Sequence, residues 1–242
     1  MSRYLITGAS RGIGLAIARV LHPHHDLILT ARCADGLDAA AQELCAGDSR
    51  GGKVRKRVAA GGSVETLPLD LSDPDSIPGA VDGIDGPIDG VIHSAGVLVS
   101  GTVADLTASD WQRSLTLNVT APAVLTAALL PRLRESRGSV VLINSGSGFT
   151  AGAGGGAYSA SKFALRAFAD SLRAEERENG VRVISVHPGR VDTDMQRQLR
   201  SFEEGEYEAE KYMRPESVAA VVASTLAMGP DATIESVSVR PA

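Results

Sequence analysis

A tyrosine and a lysine four residues apart could exchange a proton with a reacting oxygen. Tyr158 and Lys162 follow Ala157 at the start of a helix-length stretch, so they would share one helix face, one turn apart. A free tyrosine has a pKa near ~10, which makes it a weak acid at neutral pH. A nearby cation and the positive end of the helix would stabilise the phenolate and lower that pKa. The pair indicates general acid/base chemistry, although this spacing also arises by chance on helices.

Two other polar residues could complete this group. Ser145 lies thirteen residues before Tyr158, directly after a β-rich run and so at the sheet edge where ligands bind. Its hydroxyl could hold a substrate oxygen against Tyr158, with Ser147 as the competing candidate. Pro122 follows Asn118 by four residues and has no N–H, which would leave the carbonyl of Asn118 free to bind water, or would simply kink the helix.

A glycine-rich turn follows the first β-rich run of the chain. Glycine permits a tight turn and a close approach of the backbone to a pyrophosphate, while the next helix presents its free N–H groups to the anion. The position of this turn at a strand-to-helix junction favours a dinucleotide site over an ordinary turn. The segment reads Thr7-Gly8-Ala9-Ser10-Arg11-Gly12-Ile13-Gly14, a Gly-x-x-x-Gly-x-Gly spacing.

In their order along the chain, these motifs resemble those of short-chain dehydrogenases/reductases. The resemblance extends over nearly the whole chain, and the ordered set is far more specific than any one motif. The sequence departs from the family's pattern at Ser94, where Asn is usual, and this puts the support of the central sheet in doubt. The other matching segments are Asp70-Leu71, His93-Ser94-Ala95-Gly96, Asn118, Ser145, Tyr158-x-x-x-Lys162, Pro188-Gly189 and Thr193.

The resemblance implies an oxidoreductase that moves a hydride between a nicotinamide cofactor and a carbonyl or secondary alcohol. Tyr158 would be the general acid/base, Ser145 would hold the substrate oxygen, and Lys162 would contact the nicotinamide ribose. Asn118 would belong to a water-mediated proton relay. The implied cofactor-binding residues are Gly8, Ser10, Arg11, Gly12, Ile13, Gly14, Arg32, Asp70, Leu71, Ser94, Ala95, Gly96, Asn118, Tyr158, Lys162, Pro188, Gly189, Val191 and Thr193.

The residues after the second β-rich run favour NADP(H) as the cofactor. An NAD-dependent enzyme normally has a carboxylate there, which binds the adenosine ribose and repels a 2′-phosphate. Here that run ends in Ala31 and Arg32, and Asp35 falls where it would cap the next helix. The guanidinium groups of Arg32 and Arg11 could instead bind the phosphate. Because cells usually keep NADP reduced, we expect carbonyl reduction.

Strand-like and helix-like stretches alternate along all 242 residues. This alternation predicts an α/β fold of one domain: a doubly wound, Rossmann-type, seven-stranded parallel sheet with helices on both faces. The β-rich runs are Tyr4–Thr7, Leu27–Thr30, Thr66–Leu69, Gly90–His93, Val140–Ile143, Val181–Val186 and Ser236–Val239. The helix-length stretches are Gly12–Leu21, Gly36–Leu44, Pro74–Val81, Ala108–Leu133, Ala157–Glu178 and Pro215–Ala227.

Two segments fit this alternation poorly. Residues 46–63 are basic and glycine-rich, and we interpret them as a flexible surface loop. Residues 190–213 combine aromatic residues with many charges, and we expect a short mobile lid that is poorly ordered without ligand. The other borders of the substrate pocket would be Val97–Ser100 and Ser147–Thr150.

The composition excludes several other classes of protein. A net charge of −5 and a pI of about 5.6 argue against nucleic acid as the main partner. We find no apolar run of membrane-spanning length and no N-terminal signal peptide, and we interpret Cys33 and Cys45 as reduced thiols of a cytoplasmic protein. The five histidines show no metal-ligand spacing, so we expect no metal site.

Two other functions fit parts of the sequence, and one apolar stretch bears on the oligomeric state. A non-catalytic, regulatory NADP(H)-binding protein would have little reason to keep Ser145, Tyr158, Lys162 and Asn118 together. A sugar-nucleotide epimerase or dehydratase would need more chain after Pro188 for its substrate domain. The stretch Val119–Leu130 is apolar nearly all round, and related enzymes commonly pair through this helix and the next, so we expect a homodimer or homotetramer.

Overall fold

Parallel strands form the centre of the molecule. The computed structural model describes residues 1–45, 57–58, 61–229 and 231–242. Its sheet has the order β3-β4-β2-β1-β5-β6-β7-β8, and all strands except β3 are parallel to their neighbours. The strands are β1 (Arg3–Thr7), β2 (Asp26–Ala31), β3 (Arg57–Val58), β4 (Ser63–Pro68), β5 (Gly90–His93), β6 (Ser139–Ile143), β7 (Arg182–Pro188) and β8 (Ser236–Val239).

Helices cover both faces of the sheet, and each face has its own apolar core. One core joins the strands to the first, second and last helices through residues such as Ile17, Leu37 and Val222. The other core, with Leu125 and Leu165, joins the strands to the third, fifth and sixth helices. The helices are α1 (Gly12–Leu21), α2 (Ala34–Leu44), α3 (Ile77–Asp82), α4 (Ala108–Leu115), α5 (Ala121–Ser136), α6 (Gly156–Glu176), α7 (Asp194–Phe202) and α8 (Pro215–Leu226).

The prediction of a seven-stranded, doubly wound parallel sheet is confirmed, with one addition at its edge. Strand β3 pairs antiparallel with the start of β4, so the predicted loop 46–63 ends in a short hairpin. The rest of that loop, 46–56 and 59–60, lies outside the described residues. A two-residue strand in a glycine-rich segment has too short a pattern to be recognised from sequence.

The predicted fourth helix contains a local change of helix type. Residues Thr116–Thr120 form a π-helical turn between α4 and α5, and the N–H of Ala121 donates to the carbonyl of Thr116. Pro122 has no N–H to donate to the carbonyl of Asn118, and a π-turn is a common way to accommodate such a gap. The turn reorients the helix at the residue that carries the candidate relay side chain.

The run Ala108–Ser136 also corrects the expectation about membrane-spanning length. It is one helical stretch of 29 residues, and its most apolar window has a mean hydropathy of 1.4, so by length and composition it could cross a membrane. The core helix of a soluble protein passes the same test. Here Leu125, Leu129 and Leu133 are completely buried against the sheet. The expectation rested on the shorter run Val119–Leu130, whereas the helical stretch continues beyond that run at both ends.

The strand order sets the position of the ligand cleft. From β1 the chain moves to one side through β2 and β4, and then to the other side through β5, β6, β7 and β8. Ligands of doubly wound sheets bind at the carboxyl ends of the strands, where the strand order reverses. That point lies between β1 and β5, beside Gly8 and Ser94.

Candidate active site

The glycine turn after β1 packs tightly against the turn after β5. Gly8 has a φ of +68°, and a Cβ on it would lie 2.9 Å from the backbone nitrogen and Cα of Ala95. A Cβ on Gly14 would lie 2.3 Å from the carbonyl oxygen of Gly8. Any side chain at these two positions would force the turn apart. The sequence therefore uses glycine here to bring α1 against the end of β1.

This packing directs the first turn of α1 into the cleft. The helix begins at Gly12 after the extended residue Arg11, and its first turn contains no acidic residue. Its N–H groups and positive dipole end thus form a cradle for an anion such as a pyrophosphate. Thr193 closes the cradle from the opposite side, because a Cβ on Gly12 would lie 3.6 Å from the Thr193 methyl group. The cradle suits a dinucleotide.

The two arginines predicted to bind a 2′-phosphate have different surroundings. Arg11 reaches across the cleft, and its Nη1 lies 2.8 Å from Oδ2 of Asp194 at the start of α7. The side chains of Arg11 and Asp194 are 78% and 67% exposed. Arg32 is exposed beyond β2, close enough to Asp70 to help lower the pKa of that carboxyl. Such an exposed ion pair is weak, so Arg11 can exchange Asp194 for a phosphate.

Asp70 and Asp35 are acidic residues near this edge, and only Asp70 makes local hydrogen bonds. Asp70 accepts hydrogen bonds from the N–H and the hydroxyl of Ser72, and these bonds are the main reason that its pKa is lowered. Leu71 beside it is buried. Asp35 lies in the first turn of α2 as expected, but its side chain makes no capping hydrogen bond, so its prediction as a cap is wrong. Cys33 occupies the N-cap position instead.

The turn Ser94-Ala95-Gly96 is held by hydrogen bonds from two sides. The hydroxyl oxygen of Thr7 accepts the N–H groups of Ser94 and Ala95, each at 3.0 Å. The Asn118 side chain accepts from the N–H of Val97 at 2.9 Å and donates to its carbonyl at 2.9 Å. These four bonds stabilise the turn without the family's usual Asn at position 94. Thr7 is a supporting residue that the sequence analysis missed.

The Asn118 side chain makes three hydrogen bonds to protein groups. Besides the two bonds to Val97, its amide donates to the hydroxyl of Ser161 at 2.9 Å, and Ser161 donates to the carbonyl of Tyr158. A Cβ on Gly96 would lie 3.0 Å from the Asn118 amide oxygen and 3.9 Å from the Lys162 ammonium. Asn118 thus connects the turn after β5 with the helix that carries Tyr158 and Lys162.

Tyr158, Ser145 and Lys162 meet at the carboxyl end of β6. The hydroxyl groups of Tyr158 and Ser145 lie close enough that hydrogen bonding from Ser145 lowers the pKa of Tyr158. The Lys162 ammonium donates to the carbonyl of Ile143 at 3.1 Å and lies 5.7 Å from the centre of the Tyr158 ring. Ser145 also accepts the N–H of Ser147 at 3.1 Å, so the competing serine contributes its backbone.

The electrostatics of this group differ from the sequence-based expectation. Burial raises the pKa of Tyr158 above its usual value, and the hydrogen bond with Ser145 opposes that rise. Lys162 was expected to lower the pKa of Tyr158, but burial lowers the pKa of Lys162 itself to about 8. Desolvation disfavours both charged forms, which keeps a proton on the phenol and loosens the proton on the ammonium. The side chain that lowers the pKa of Tyr158 is therefore Ser145 and not Lys162.

The segment after β7 borders the cleft from the other side. Pro188 ends β7, and the N–H of Gly189 donates to the carbonyl of Val239 at 2.7 Å. Val191 forms a bridge with Met213. The Thr193 hydroxyl donates to the carbonyl of Val191 and accepts the N–H of Gln196 as the N-cap of α7. Thr193 thus lies at the cradle, and its hydroxyl already has two protein partners.

Residues 190–213 are more regular than the sequence predicted. They contain α7 and the 3₁₀ turn Ala209–Lys211, and Glu203 forms ion pairs with Arg190 and Arg200. The Phe202 ring packs on the loop before α6, with an edge atom 2.7 Å from where a Cβ of Gly154 would stand. The mobile lid stays a prediction that rests on the few apolar residues per turn, while these charges pair with one another. Their pairing depends on a fold-back that sequence patterns do not reveal.

Three segments that flank or contain the predicted pocket borders meet at Gly154, and the borders themselves stay a prediction. The N–H of Gly101 donates to the carbonyl of Gly154 at 2.9 Å, which joins the loop after β5 to the loop before α6. Phe202 of α7 covers the same glycine. Phe149, within the predicted border Ser147–Thr150, instead packs against the ring of His187 at 4.3 Å. The loop after β5, the loop before α6 and the end of α7 therefore meet at Gly154.

His93 has a structural role, and the described histidines and cysteines form no metal-ligand group. His93 is buried, hydrogen-bonds to Thr126, and has its pKa lowered by burial to about 3, as suits a neutral strand residue. Cys33 is exposed, and Cys45 is buried with its Sγ 3.8 Å from Nε2 of His22. Within the part of the chain that the structure describes, no three His, Cys, Asp or Glu residues are grouped to hold a metal ion.

Comparison with known proteins defines the class to which this fold and cleft belong. A model of the family described as short chain dehydrogenase matches residues 3–204. The chain therefore belongs to the short-chain dehydrogenase/reductase family.

Individual relatives agree with this assignment. Dehydrogenase/reductase SDR family member 7B of Bos taurus is 36% identical over 196 residues, which cover 79% of this chain and 58% of the bovine protein. The matched region thus spans less than two thirds of that relative. A solved alcohol dehydrogenase from the archaeon Thermococcus sibiricus, complexed with 5-hydroxy-NADP, is 27% identical with a TM-score of 0.86 and covers 100% of this chain and 97% of its own. A metagenomic short-chain oxidoreductase in complex with NADP is 30% identical with a TM-score of 0.81, at the same coverage.

Proposed function

We propose that this protein is an NADP(H)-dependent carbonyl reductase in which Tyr158 is the general acid/base. The observation that carries the proposal is the proximity of the Tyr158 hydroxyl to the Ser145 hydroxyl, beside the Lys162 ammonium. These groups lie at the carboxyl end of β6, on the cleft edge of the sheet. A binding protein without catalysis would not need a half-buried phenol and a buried lysine at this point.

The chain's own residues can perform the proton chemistry. A bound NADPH would supply the hydride to the carbonyl carbon. Tyr158 would donate its proton to the carbonyl oxygen, and Ser145 would hold that oxygen by a second hydrogen bond. Lys162 would replace the lost proton, because its pKa of about 8 is close to neutral. Asn118 would hold the turn after β5 in place beneath the nicotinamide site.

The preference for NADP(H) is supported by the charges at the end of β2. Arg32 is exposed there, and Arg11 faces the cleft with only a weak, exposed partner. Asp35 lies within α2 rather than at the end of the strand. Two similar solved structures are complexes with NADP or 5-hydroxy-NADP. Guanidinium groups at this edge would bind a 2′-phosphate through paired hydrogen bonds.

Oxidation of NADPH with a panel of carbonyl compounds tests the proposed reaction. We expect the purified protein to oxidise NADPH with at least one aldehyde, ketone or quinone of the panel and to use NADH less well. The absorbance of the reduced nicotinamide reports both rates. Binding of NADPH without turnover on any panel member would contradict the carbonyl reductase and favour a regulatory nucleotide-binding protein.

We also propose that the protein is a homodimer or homotetramer assembled through α5 and α6. The faces of these helices that point away from the sheet keep apolar side chains at the surface, among them Ala127 and Phe163. Burial of such a surface against a second copy would stabilise the pair. Light scattering at micromolar concentration should give a multiple of the 25.1 kDa chain mass. A monomeric mass under these conditions would refute the assembly.

A further inference from the structure

His187 is a buried histidine beside the candidate catalytic serine, and the sequence analysis gave it no role. It lies at the end of β7 and is 0% exposed. Strands β6 and β7 are paired up to Ile143 and Val186, and one more bond follows, from the N–H of Asn144 to the carbonyl of Val186 at 2.8 Å. His187 is therefore opposite Asn144, the residue that precedes Ser145 in the chain.

The backbone pairing of these strands cannot continue past this point. In a parallel ladder the next donor would be the N–H of residue 188, but Pro188 has none. Instead, Nδ1 of the His187 ring lies 3.1 Å from the carbonyl oxygen of Ser145. The His187 imidazole thus forms a hydrogen bond with Ser145, one residue beyond the last backbone bond between β6 and β7.

The chemistry of this contact defines which ring nitrogen carries the proton. A carbonyl oxygen is only an acceptor, so Nδ1 must donate. Nε2 is buried and has no hydrogen-bond partner among the residues that the structure describes. A proton on Nε2 would leave a buried donor unsatisfied and would place the Nδ1 lone pair against the carbonyl oxygen. The geometry therefore requires the neutral tautomer with hydrogen on Nδ1.

The surroundings of His187 keep the ring neutral and in place. Burial is the largest cause that lowers its pKa, and the cations Arg166, Arg240 and Lys162 act in the same direction, against the bond to Ser145. The Phe149 ring packs on the imidazole at 4.3 Å and carries the Arg166 guanidinium at 5.0 Å on its face. Arg240 donates to the His187 carbonyl at 2.7 Å.

The contact with His187 bears directly on the orientation of the Ser145 hydroxyl. The Ser145 carbonyl accepts two hydrogen bonds, from His187 and from the N–H of Gly148 at 3.0 Å. These bonds hold Ser145 in an extended conformation, with φ −165° and ψ 160°. In that conformation its hydroxyl meets the hydroxyl of Tyr158. Loss of one donor would let the peptide rotate and move the hydroxyl away.

We propose that His187 is a positioning residue whose Nδ1–H holds the Ser145 carbonyl and thereby aims the Ser145 hydroxyl at Tyr158 and the substrate oxygen. The effect on turnover rests on the proposed carbonyl reductase function, whereas the tautomer and the hydrogen bond do not.

Two substitutions at position 187 separate hydrogen bonding from packing. His187→Leu fills similar space without a donor, and His187→Asn places an amide N–H near the position of Nδ1. We expect His187→Leu to lower kcat about tenfold, the size of one lost hydrogen bond in the transition state, with little change in the Kd of NADPH. His187→Asn should recover most of that loss. Ser185→Ala is the matched control, because it removes a buried, unpartnered hydroxyl from the same strand.

A pH profile and a double-substitution cycle test whether the effect passes through Ser145. Since the bond to Ser145 opposes the rise in the pKa of Tyr158, the basic limb of the kcat profile should move to higher pH in His187→Leu and not in His187→Asn. In a Ser145→Ala background, His187→Leu should cost far less than tenfold. Equal losses in Leu and Asn variants, or full additivity with Ser145→Ala, would overturn the proposal.

The tautomer can be measured without turnover. ¹⁵N NMR of histidine-labelled wild-type protein, with His187→Asn to assign the signals, should show Nδ1 protonated and Nε2 bare across neutral pH. A proton on Nε2 would overturn the positioning role whatever the activity, and whether or not His187→Leu folds. If the tautomer is as expected and no carbonyl compound is reduced, the proposed function has failed and the hydrogen bond to Ser145 stands.

Discussion

Replacement of Tyr158 by phenylalanine is expected to abolish measurable carbonyl reduction, with a loss in kcat of about 10²–10⁴-fold. The substitution removes only the hydroxyl that meets Ser145, so the proton donor is lost while the ring still fills its place. Binding of NADPH should remain near the wild-type level. Steady-state turnover and a fluorescence titration with NADPH measure the two quantities on the same preparation.

Two further variants make this test specific. Tyr4→Phe removes the hydroxyl of a buried tyrosine at the amino end of β1, on the sheet edge away from the cleft, and should keep full activity. Lys162→Ala should reduce both turnover and NADPH affinity, because that ammonium lies beside both Tyr158 and the turn at Gly96. Substantial turnover in Tyr158→Phe would exclude this residue as the general acid.

The second large effect is expected in the choice of cofactor. Combining Arg32→Asp with Arg11→Ala should lower kcat/KM for NADPH by about a hundredfold or more, since each guanidinium–phosphate contact contributes about 1.5–3 kcal/mol. Use of NADH should change little, because it has no 2′-phosphate. The wild-type protein should prefer NADPH. Comparing kcat/KM for both cofactors in both proteins measures the switch.

The controls for cofactor choice address charge and the Arg11 ion pair separately. Arg177→Asp changes the same charge at the far end of α6, where the side chain is 75% exposed, and should leave the preference unaltered. Asp194→Ala frees Arg11 from its partner and should leave NADPH bound at least as tightly as in the wild type. Equal or better use of NADH by the wild-type protein would show that the two arginines do not select the cofactor.

The class of protein and the fold could be predicted from the sequence because their signals are local. A Gly-x-x-x-Gly-x-Gly turn between a β-rich run and a helix, and a Tyr-x-x-x-Lys pair one helical turn apart, involve residues close together in the chain. The alternation of strand and helix then predicts parallel strands, which bring these motifs to one edge of the sheet. The family and the seven-stranded sheet are confirmed, while the residue roles and the cofactor choice remain predictions.

Other features of the site required the tertiary structure, because they depend on contacts between distant residues or on burial. Arg11 pairs with Asp194 from 183 positions away, and Phe202 covers Gly154 only because α7 folds back over the loop before α6. The missing capping bond of Asp35 and the two-residue strand β3 are details of geometry that residue types alone do not define.

The sequence by itself determined which residues stand at the cleft, and the tertiary structure decided what surrounds them. Tyr158 and Lys162 were placed together by helical spacing, but the sign of each pKa shift follows from desolvation, and desolvation depends on everything packed around the pair. Nothing in the sequence singled out His187, whereas the structure places its ring on the Ser145 carbonyl at the end of the β6–β7 ladder. Spacing along a chain predicts which residues can meet, whereas burial and hydrogen-bond partners are properties of the folded whole.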